Sequence, residues 1–176
     1  MTSIQNRIDA FVALGNFLSQ FSSNKIEKSP TVPFNELFFD GFIHQIKLAE
    51  EQNSWFTKEA ILFSLDNWTS ALTHENLNQW ISNENVVEKS SKTVAIVMAG
   101  NIPLVGFHDF LSVLICGHSV LVKQSSNDKH LIPYLAKYLE YIDKNLKGKI
   151  SFTEEKLKNF DESENLNLSE EELNNL

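Results

Sequence analysis

Two apolar stretches decide the fold of this 176-residue chain: residues 93–103, which read TVAIVMAGNIP, and residues 119–126, which read SVLVKQSS. Each begins as a short apolar run with β-branched residues, which is typical of a strand buried on both faces of a parallel sheet. Residues 104–116 between them are mainly apolar and end at Gly117, so the pattern predicts a helix there. A strand, a helix and a second strand in this order predict a parallel α/β unit.

The segments on either side of this unit complete the predicted fold class. Downstream, a polar turn at residues 124–127 predicts the cap of a further helix over 128–146, and residues 149–152 predict a short third strand. Upstream, apolar residues recur at spacings of three and four, and Thr57 and Thr73 are placed as helix N-caps. The chain is therefore predicted to be α/β, with amino-terminal helices followed by an incomplete, parallel, Rossmann-like sheet.

Composition divides the chain into three parts and excludes some functions. Residues 1–90 are predicted to be a helical region, residues 91–160 the first part of an α/β domain, and residues 161–176 an acidic tail. The 15 Lys and Arg against 23 Asp and Glu give a net charge of −8, which argues against a general nucleic-acid binder. The tail is interpreted as a solvated segment, with a role in binding a partner left as the alternative.

A single cysteine, Cys116, excludes an internal disulfide and a multi-cysteine metal site, and no metal site is predicted. Cys116 lies late in an apolar helix, so it is interpreted as a small buried hydrophobe. Trp55, Trp68 and Trp80 are interpreted as core residues. No membrane span or secretory signal is predicted, and the expected location is the cytoplasm.

The candidate site lies at the carboxyl ends of the first two predicted strands, where open α/β sheets bind ligands. The loop at residues 99–103 offers backbone N–H groups and the start of a helix, and Asn101 adds an amide donor. Lys123 ends the second strand and is followed by the hydroxyls of Ser125 and Ser126. From the residues alone, Asn101 is either a turn residue or a catalytic donor, and Lys123 is either a solvated lysine or a ligand-binding one.

The sequences of these two strands and of the loops that follow them resemble a known family. Residues 94–104 and 117–126 resemble the first cofactor-binding segment of the aldehyde dehydrogenase superfamily, in which a strand ends in a Trp-Asn-Phe-Pro-type loop and the next ends in Lys-Pro-Ser-Glu. Residues 53–57, 106–111 and 126–131 are more specifically similar to the acyl-CoA reductase branch, which includes the long-chain fatty acyl reductases of bacterial bioluminescence.

The resemblance implies NADPH-dependent reduction of a fatty acyl-CoA or acyl-protein to an aldehyde through an enzyme thioester. It implies that Asn101 stabilises the oxyanion, that Lys123 binds the adenosine ribose, and that the hydroxyls of Ser125 and Ser126 help to hold the adenosine end. Ser126 stands where many NAD-preferring members carry glutamate, which favours NADPH as the cofactor. Self-association as a homo-oligomer is left open.

The family pattern also implies what this chain lacks. The nucleophilic cysteine of the superfamily lies in a separate catalytic domain, and Cys116 does not align with it. The resemblance spans residues 8–160, so the chain is expected to be an incomplete and inactive amino-terminal part of a reductase. The alternative is a non-catalytic interaction module that binds a partner through its helical half and acidic tail.

Overall fold

The computed structural model describes residues 3–83, 90–155, 157 and 161–164. Within them the chain forms six α-helices: α1 (Ile4–Leu18), α2 (Asn35–Gln52), α3 (Lys58–Ala71), α4 (His74–Asn83), α5 (Phe107–Ile115) and α6 (Leu131–Ile142). It also forms a short 3₁₀ helix (Lys144–Leu146) and four strands: β1 (Thr93–Val97), β2 (Ser119–Lys123), β3 (Ile150–Thr153) and β4 (Glu162–Glu164). The predicted class, amino-terminal helices followed by a parallel sheet, is confirmed.

The helix starts in the amino-terminal half follow from side-chain capping. The Thr57 hydroxyl accepts a hydrogen bond from the Ala60 N–H at 3.2 Å, and the Thr73 hydroxyl accepts one from the Asn76 N–H at 3.2 Å. Each satisfies a backbone donor that the first helical turn leaves without an intrahelical partner. Both predicted N-caps are therefore confirmed.

The helices pack around a cluster of buried aromatic side chains. Phe17 of α1 stacks on Tyr138 of α6, with ring centroids 4.3 Å apart, and lies 5.6 Å from Phe42 of α2. The Tyr138 hydroxyl donates to the Pro33 carbonyl at 3.1 Å, so the polar end of this buried ring is satisfied. The hydrophobic core is continuous between the helical region and the α/β region, because α1 and α2 pack directly on α6.

All three strand pairings of the sheet are parallel, and the strand order is β3-β2-β1-β4. The three predicted strands are present, with β3 beginning at Ile150, one residue later than predicted. The middle residues of β1, Val94 to Ile96, are buried, as expected for a strand that has neighbours on both sides.

The fourth strand was not predicted from the sequence. β4 lies at the start of the acidic segment and pairs with β1, with Ala95 opposite Ser163. Just before it, the Asp161 N–H donates to the Thr93 carbonyl at 2.8 Å, and the Asp161 carboxylate accepts from the Thr93 N–H at 2.7 Å. Residues 161–164 are thus paired rather than frayed, while the rest of the acidic tail lies outside the described residues.

Two helices begin later than the sequence predicted. The helix expected from Leu104 begins at Phe107, because Leu104 adopts a left-handed φ of 61° and residues 103–106 form turns instead. The helix expected from Asp128 begins at Leu131, and the Asp128 carboxylate, not the turn at 124–127, accepts from the Leu131 N–H. Gly117 ends α5 with a φ of 88°, as predicted.

Within the described part of the chain, no helix is both long enough and apolar enough to cross a lipid bilayer.

We predict that Phe17→Ala lowers the free energy of unfolding by about 3–5 kcal/mol, the usual cost of removing a buried phenyl ring. Phe17 is fully buried and contacts aromatic rings of both α2 and α6. Urea unfolding measures the change. The control is Phe63→Ala, which removes a ring that is 64% exposed and should change stability by less than about 1 kcal/mol. Equal effects of the two substitutions would contradict the described core.

Candidate functional site

The carboxyl ends of β1 and β2 lie side by side. Val97 and Lys123 are paired at the last position of the two strands, and the Met98 N–H donates to the Lys123 carbonyl at 3.0 Å. The strand order reverses at β1, since β2 and β3 lie on one side of it and β4 on the other. Ligands of open α/β sheets bind at the carboxyl edge beside such a reversal, so the loop after β1 occupies the expected position of a ligand site.

The two loops that follow these strands touch each other at Gly100. A Cβ atom at this position would overlap the Ser125 hydroxyl and would lie 2.8 Å from Ser125 Cβ and 3.1 Å from Asn127 Cβ. A side chain larger than hydrogen would therefore force the loops apart. The loop after β1 and the loop after β2 form one continuous surface because residue 100 is glycine.

The four predicted site residues lie on this surface or border it. Asn101 and Ser126 are exposed, whereas Lys123 and Ser125 are half-buried. The Ser125 hydroxyl accepts from the Asn127 N–H at 3.2 Å and keeps its own proton to donate. The amide donor, the ammonium group and the hydroxyls are suited to an anionic or oxygen-rich ligand such as a phosphorylated nucleotide.

The helix that follows the first loop contributes less than the sequence suggested. The Val105 N–H donates to the Ile102 carbonyl at 3.2 Å, and the Phe107 N–H donates to the Leu104 carbonyl at 3.0 Å. These turns follow the loop at residues 99–103, and they place the start of α5 six residues after Asn101. The helix terminus expected at Leu104 is therefore wrong.

Two further residues of the site, Gln52 and Asn53 at the end of α2, were not among the predicted site residues. The Asn53 amide donates to the Gly100 carbonyl at 2.9 Å and to the Asn127 carbonyl at 3.2 Å, and the Gln52 amide donates to the Ser126 carbonyl at 2.8 Å. Both belong to the helical half, and no local pattern of the sequence indicates these contacts across 47 and 74 residues.

Asp128 lies directly behind the second loop and is buried, with 9% of its surface exposed. Burial raises the pKa of its carboxyl to about 6, and the hydrogen bond from the Leu131 N–H opposes this only in part. Its other oxygen, Oδ1, has no hydrogen-bond partner among the described residues. The ionised form is thus disfavoured by its surroundings.

Cys116 is unsuited to act as a nucleophile. It is half-buried at the end of α5 and packs against the hydrophobic core. Burial raises the pKa of its thiol, and the nearby Arg7 guanidinium opposes that shift more weakly. A raised pKa leaves little thiolate at neutral pH, which agrees with its interpretation as a small hydrophobe.

Two large apolar side chains, Trp55 between α2 and α3 and Ile102 in the loop after β1, are exposed. Trp55 is 74% exposed and Ile102 is 53% exposed. The prediction that Trp55 belongs to the core is wrong, because the residue lies in the loop between α2 and α3, where helical spacing no longer applies. Trp68 and Trp80 are packed against the core as predicted. No group of three or more metal-ligating side chains occurs among the described residues.

This geometry defines the class of the protein. It is an α/β protein in which adjacent parallel strands end at a polar edge suited to a ligand. A family model described as Acyl-CoA reductase (LuxC) matches residues 41–161, more than half of the chain. The chain belongs to the acyl-CoA reductase (LuxC) family, so it is a member of an oxidoreductase family with an acyl substrate. Comparisons with curated proteins and with solved structures gave no match.

The matched segment contains most of the site. It begins within α2 and includes Gln52, Asn53, both strand-end loops and Asp128, and it ends at Asp161 next to β4. The resemblance to acyl-CoA reductases that the sequence indicated is confirmed.

We predict that Asp128→Asn raises the free energy of unfolding, relative to the wild type, by more at pH 8 than at pH 4. Because the pKa of Asp128 is higher in the folded state than the ordinary value of 3.8, the folded state binds more protons than the unfolded state between these values. Wild-type stability is therefore lost as the pH rises through about 6, by at most roughly 3 kcal/mol. An asparagine has no such titration and can still accept from the Leu131 N–H.

Urea unfolding at pH 4 and pH 8 measures this difference for the wild type and for Asp128→Asn. The control is Asp40→Asn, because the Asp40 side chain is 82% exposed. Its difference from the wild type should be nearly the same at both pH values. An Asp128→Asn protein that follows the wild-type pH dependence would contradict the burial of a neutral carboxyl at this position.

Proposed function

We propose that this chain forms the NADPH-binding edge of a fatty acyl-CoA reductase, which reduces an acyl-CoA or acyl-protein substrate to an aldehyde. The observation that carries the proposal is that the family match covers both strand-end loops, which meet at Gly100 to form one polar surface. A cytoplasmic location, predicted from the single cysteine and the sequence, is part of the same proposal.

The residues at this edge fit a nucleotide with a 2′-phosphate. Lys123 would bind the adenosine ribose, and the hydroxyls of Ser125 and Ser126 would add donors beside it. Residues 124–127 carry no acidic side chain, so the loop presents no carboxylate that would repel a phosphate. The acid that follows, Asp128, is buried behind the loop.

Asn101 is proposed to stabilise negative charge on the acyl oxygen. Its side chain is exposed at the carboxyl end of β1, where its amide can donate to a ligand. NADPH supplies the hydride when it is bound. An amide that donates to the oxygen as it becomes negative stabilises the transition state more than the bound substrate.

The thioester step requires a cysteine other than Cys116. In that step a thiolate attacks the acyl carbonyl carbon, the new S–C bond forms, and the coenzyme A thiolate leaves. Hydride addition to the enzyme thioester then breaks that S–C bond and releases the aldehyde and the thiolate. Because Cys116 is the single cysteine of the chain and the pKa of its thiol is raised, we propose that this chain alone forms no acyl-enzyme.

One observation favours the second candidate function, a non-catalytic interaction module. Three apolar side chains are exposed together on the helical half and α6: Phe34 at 45%, Leu37 at 64% and Tyr141 at 51%. The Phe34 and Tyr141 rings lie 5.7 Å apart between centroids. An apolar patch of this kind is a feature of protein-binding surfaces, and a partner such as another reductase subunit would fit it.

We predict that the chain binds NADPH more tightly than NADH, and that Lys123→Ala weakens binding of both by about 10–100-fold, the usual effect of losing a charge-assisted hydrogen bond. Ser126→Glu should weaken NADPH binding more than NADH binding, because the added carboxylate would repel the 2′-phosphate. Isothermal titration calorimetry measures the affinities of the wild type and of the two variants for both nucleotides.

The matched control is Lys137→Ala, which removes an exposed lysine on α6 and should leave both affinities unchanged. Tighter binding of NADH by the wild type would contradict the role of Ser126. Absence of any nucleotide binding by a folded chain would favour the interaction module instead.

We predict that Asn101→Ala lowers kcat by about 10²–10³, the scale for loss of one oxyanion donor. The measurement uses a reductase in which this chain is joined to a family segment that supplies a nucleophilic cysteine. Affinity for NADPH should change little, because the Asn101 side chain is exposed and its loss removes no core contact. Wild-type kcat in the variant would show that Asn101 is a turn residue only.

A further inference from the structure

Asn53 takes part in five hydrogen bonds at the junction of α2 with the site, one of them from the Phe56 N–H to its backbone carbonyl at 2.8 Å. Its amide nitrogen donates to the Gly100 carbonyl and to the Asn127 carbonyl, and its Oδ1 accepts from the Trp55 N–H at 3.0 Å. Its backbone N–H donates to the Ala49 carbonyl at 3.1 Å, which ends α2. The Trp55 bond fixes which side-chain atom is the oxygen, so both amide hydrogens face the two loop carbonyls.

The two carbonyls belong to peptide groups that adjoin the site residues. The Gly100 carbonyl shares a planar peptide with the nitrogen of Asn101, so holding the carbonyl also fixes the direction of the Asn101 N–H. The Asn127 carbonyl belongs to the turn that closes the second loop, where the Asp128 N–H donates to the Ser125 carbonyl at 3.2 Å. Asn53 thus connects the peptide before Asn101 to the loop of Ser125.

Burial makes these bonds stronger than their neighbours. Asn53 has 7% of its surface exposed, whereas Gln52, which donates to the Ser126 carbonyl, is exposed. A hydrogen bond away from water is lost at a higher cost, because the separated groups are left without a partner. Asn53 thus donates to both loops from a buried position, whereas the Gln52 amide donates to the second loop alone from an exposed one.

We propose that Asn53 is a positioning residue, which holds the Asn101 loop and the Ser125–Ser126 loop in a single geometry for nucleotide binding. By this proposal the amino-terminal helical region contributes a residue that positions the loops of the reductase site, and does not only pack against the sheet. The proposal rests on the proposed function for its ligand, but the geometry of the loops can be measured without any ligand.

The decisive variant is Asn53→Asp, which has the same shape and can still accept from the Trp55 N–H. Above the pKa of the introduced carboxyl, both donors are replaced by a charge that repels the Gly100 and Asn127 carbonyls. Below that pKa, the protonated group regains one donor. The variant should therefore bind NADP⁺ about 10–100-fold more weakly than the wild type at pH 8, and the difference should become smaller at lower pH as the carboxyl is protonated.

Two measurements are made at both pH values: the NADP⁺ affinity by calorimetry, and the hydrogen-exchange protection factors of residues 99–102 and 124–128 without nucleotide. Protection in both loops should fall together in Asn53→Asp at pH 8 and recover at pH 5.5. His130, the titratable side chain hydrogen-bonded to Gln52, and Asp128 titrate in every protein compared. Reference to the wild type at each pH therefore removes their contribution.

The matched control is Asn67→Asp, which introduces the same charge at an exposed position of α3 and should leave both measurements unchanged. A wild type that binds no NADP⁺ would overturn the proposed function, while the loop protection would still decide the role of Asn53. Wild-type affinity and protection in Asn53→Asp at pH 8 would overturn the positioning role.

A second variant covers the case in which Asn53→Asp does not fold. Asn53→Ser carries no charge, and its short hydroxyl can still accept from the Trp55 N–H but does not replace the two donors to the loops. It should show weaker NADP⁺ binding and lower protection in both loops at both pH values. Unchanged binding and protection in Asn53→Ser would overturn the proposal by themselves.

Discussion

Two loop carbonyls, on Gly100 and Asn127, need a donor at the place where the loops after β1 and β2 meet, and the site depends on this constraint. A backbone carbonyl that is removed from water without a partner costs free energy comparable to a lost hydrogen bond. The two loops are in contact at Gly100, and among the described residues Asn53 of the helical half donates to both carbonyls. The sheet edge and the end of α2 therefore form one structural unit.

The helical half is joined to the α/β half at other points by similar bonds. Arg7 of α1 is buried and donates to the Ile115 carbonyl at 2.7 Å, at the end of α5. Carbonyls at a helix end lack intrahelical donors, and a cation there also interacts favourably with the helix dipole. Together with the ring of Phe17 stacked on Tyr138, these contacts explain why the two halves share a single core.

The sequence predicted the features that depend on local patterns. The strands β1 and β2 follow from uninterrupted apolar runs, and the helix starts at Thr57 and Thr73 follow from N-caps followed by apolar periodicity. What it did not predict depends on partners distant in the chain. β4 is a polar, three-residue strand whose position is set by pairing with β1, and the roles of Gln52 and Asn53 arise from contacts with loops more than 40 residues away. The late start of α5 depends on the left-handed backbone of Leu104, which an apolar pattern does not reveal.

The pairing of β1 with β4 has a consequence for the order in which the protein folds. β1 and β2 are joined through one short helix, whereas the bond between Thr93 and Asp161 closes a loop of 68 residues. Closing a longer loop costs more chain entropy, and contacts distant in sequence form more slowly. Of the three strand pairings, the one between β1 and β4, beside which the ligand edge lies, is therefore expected to form last.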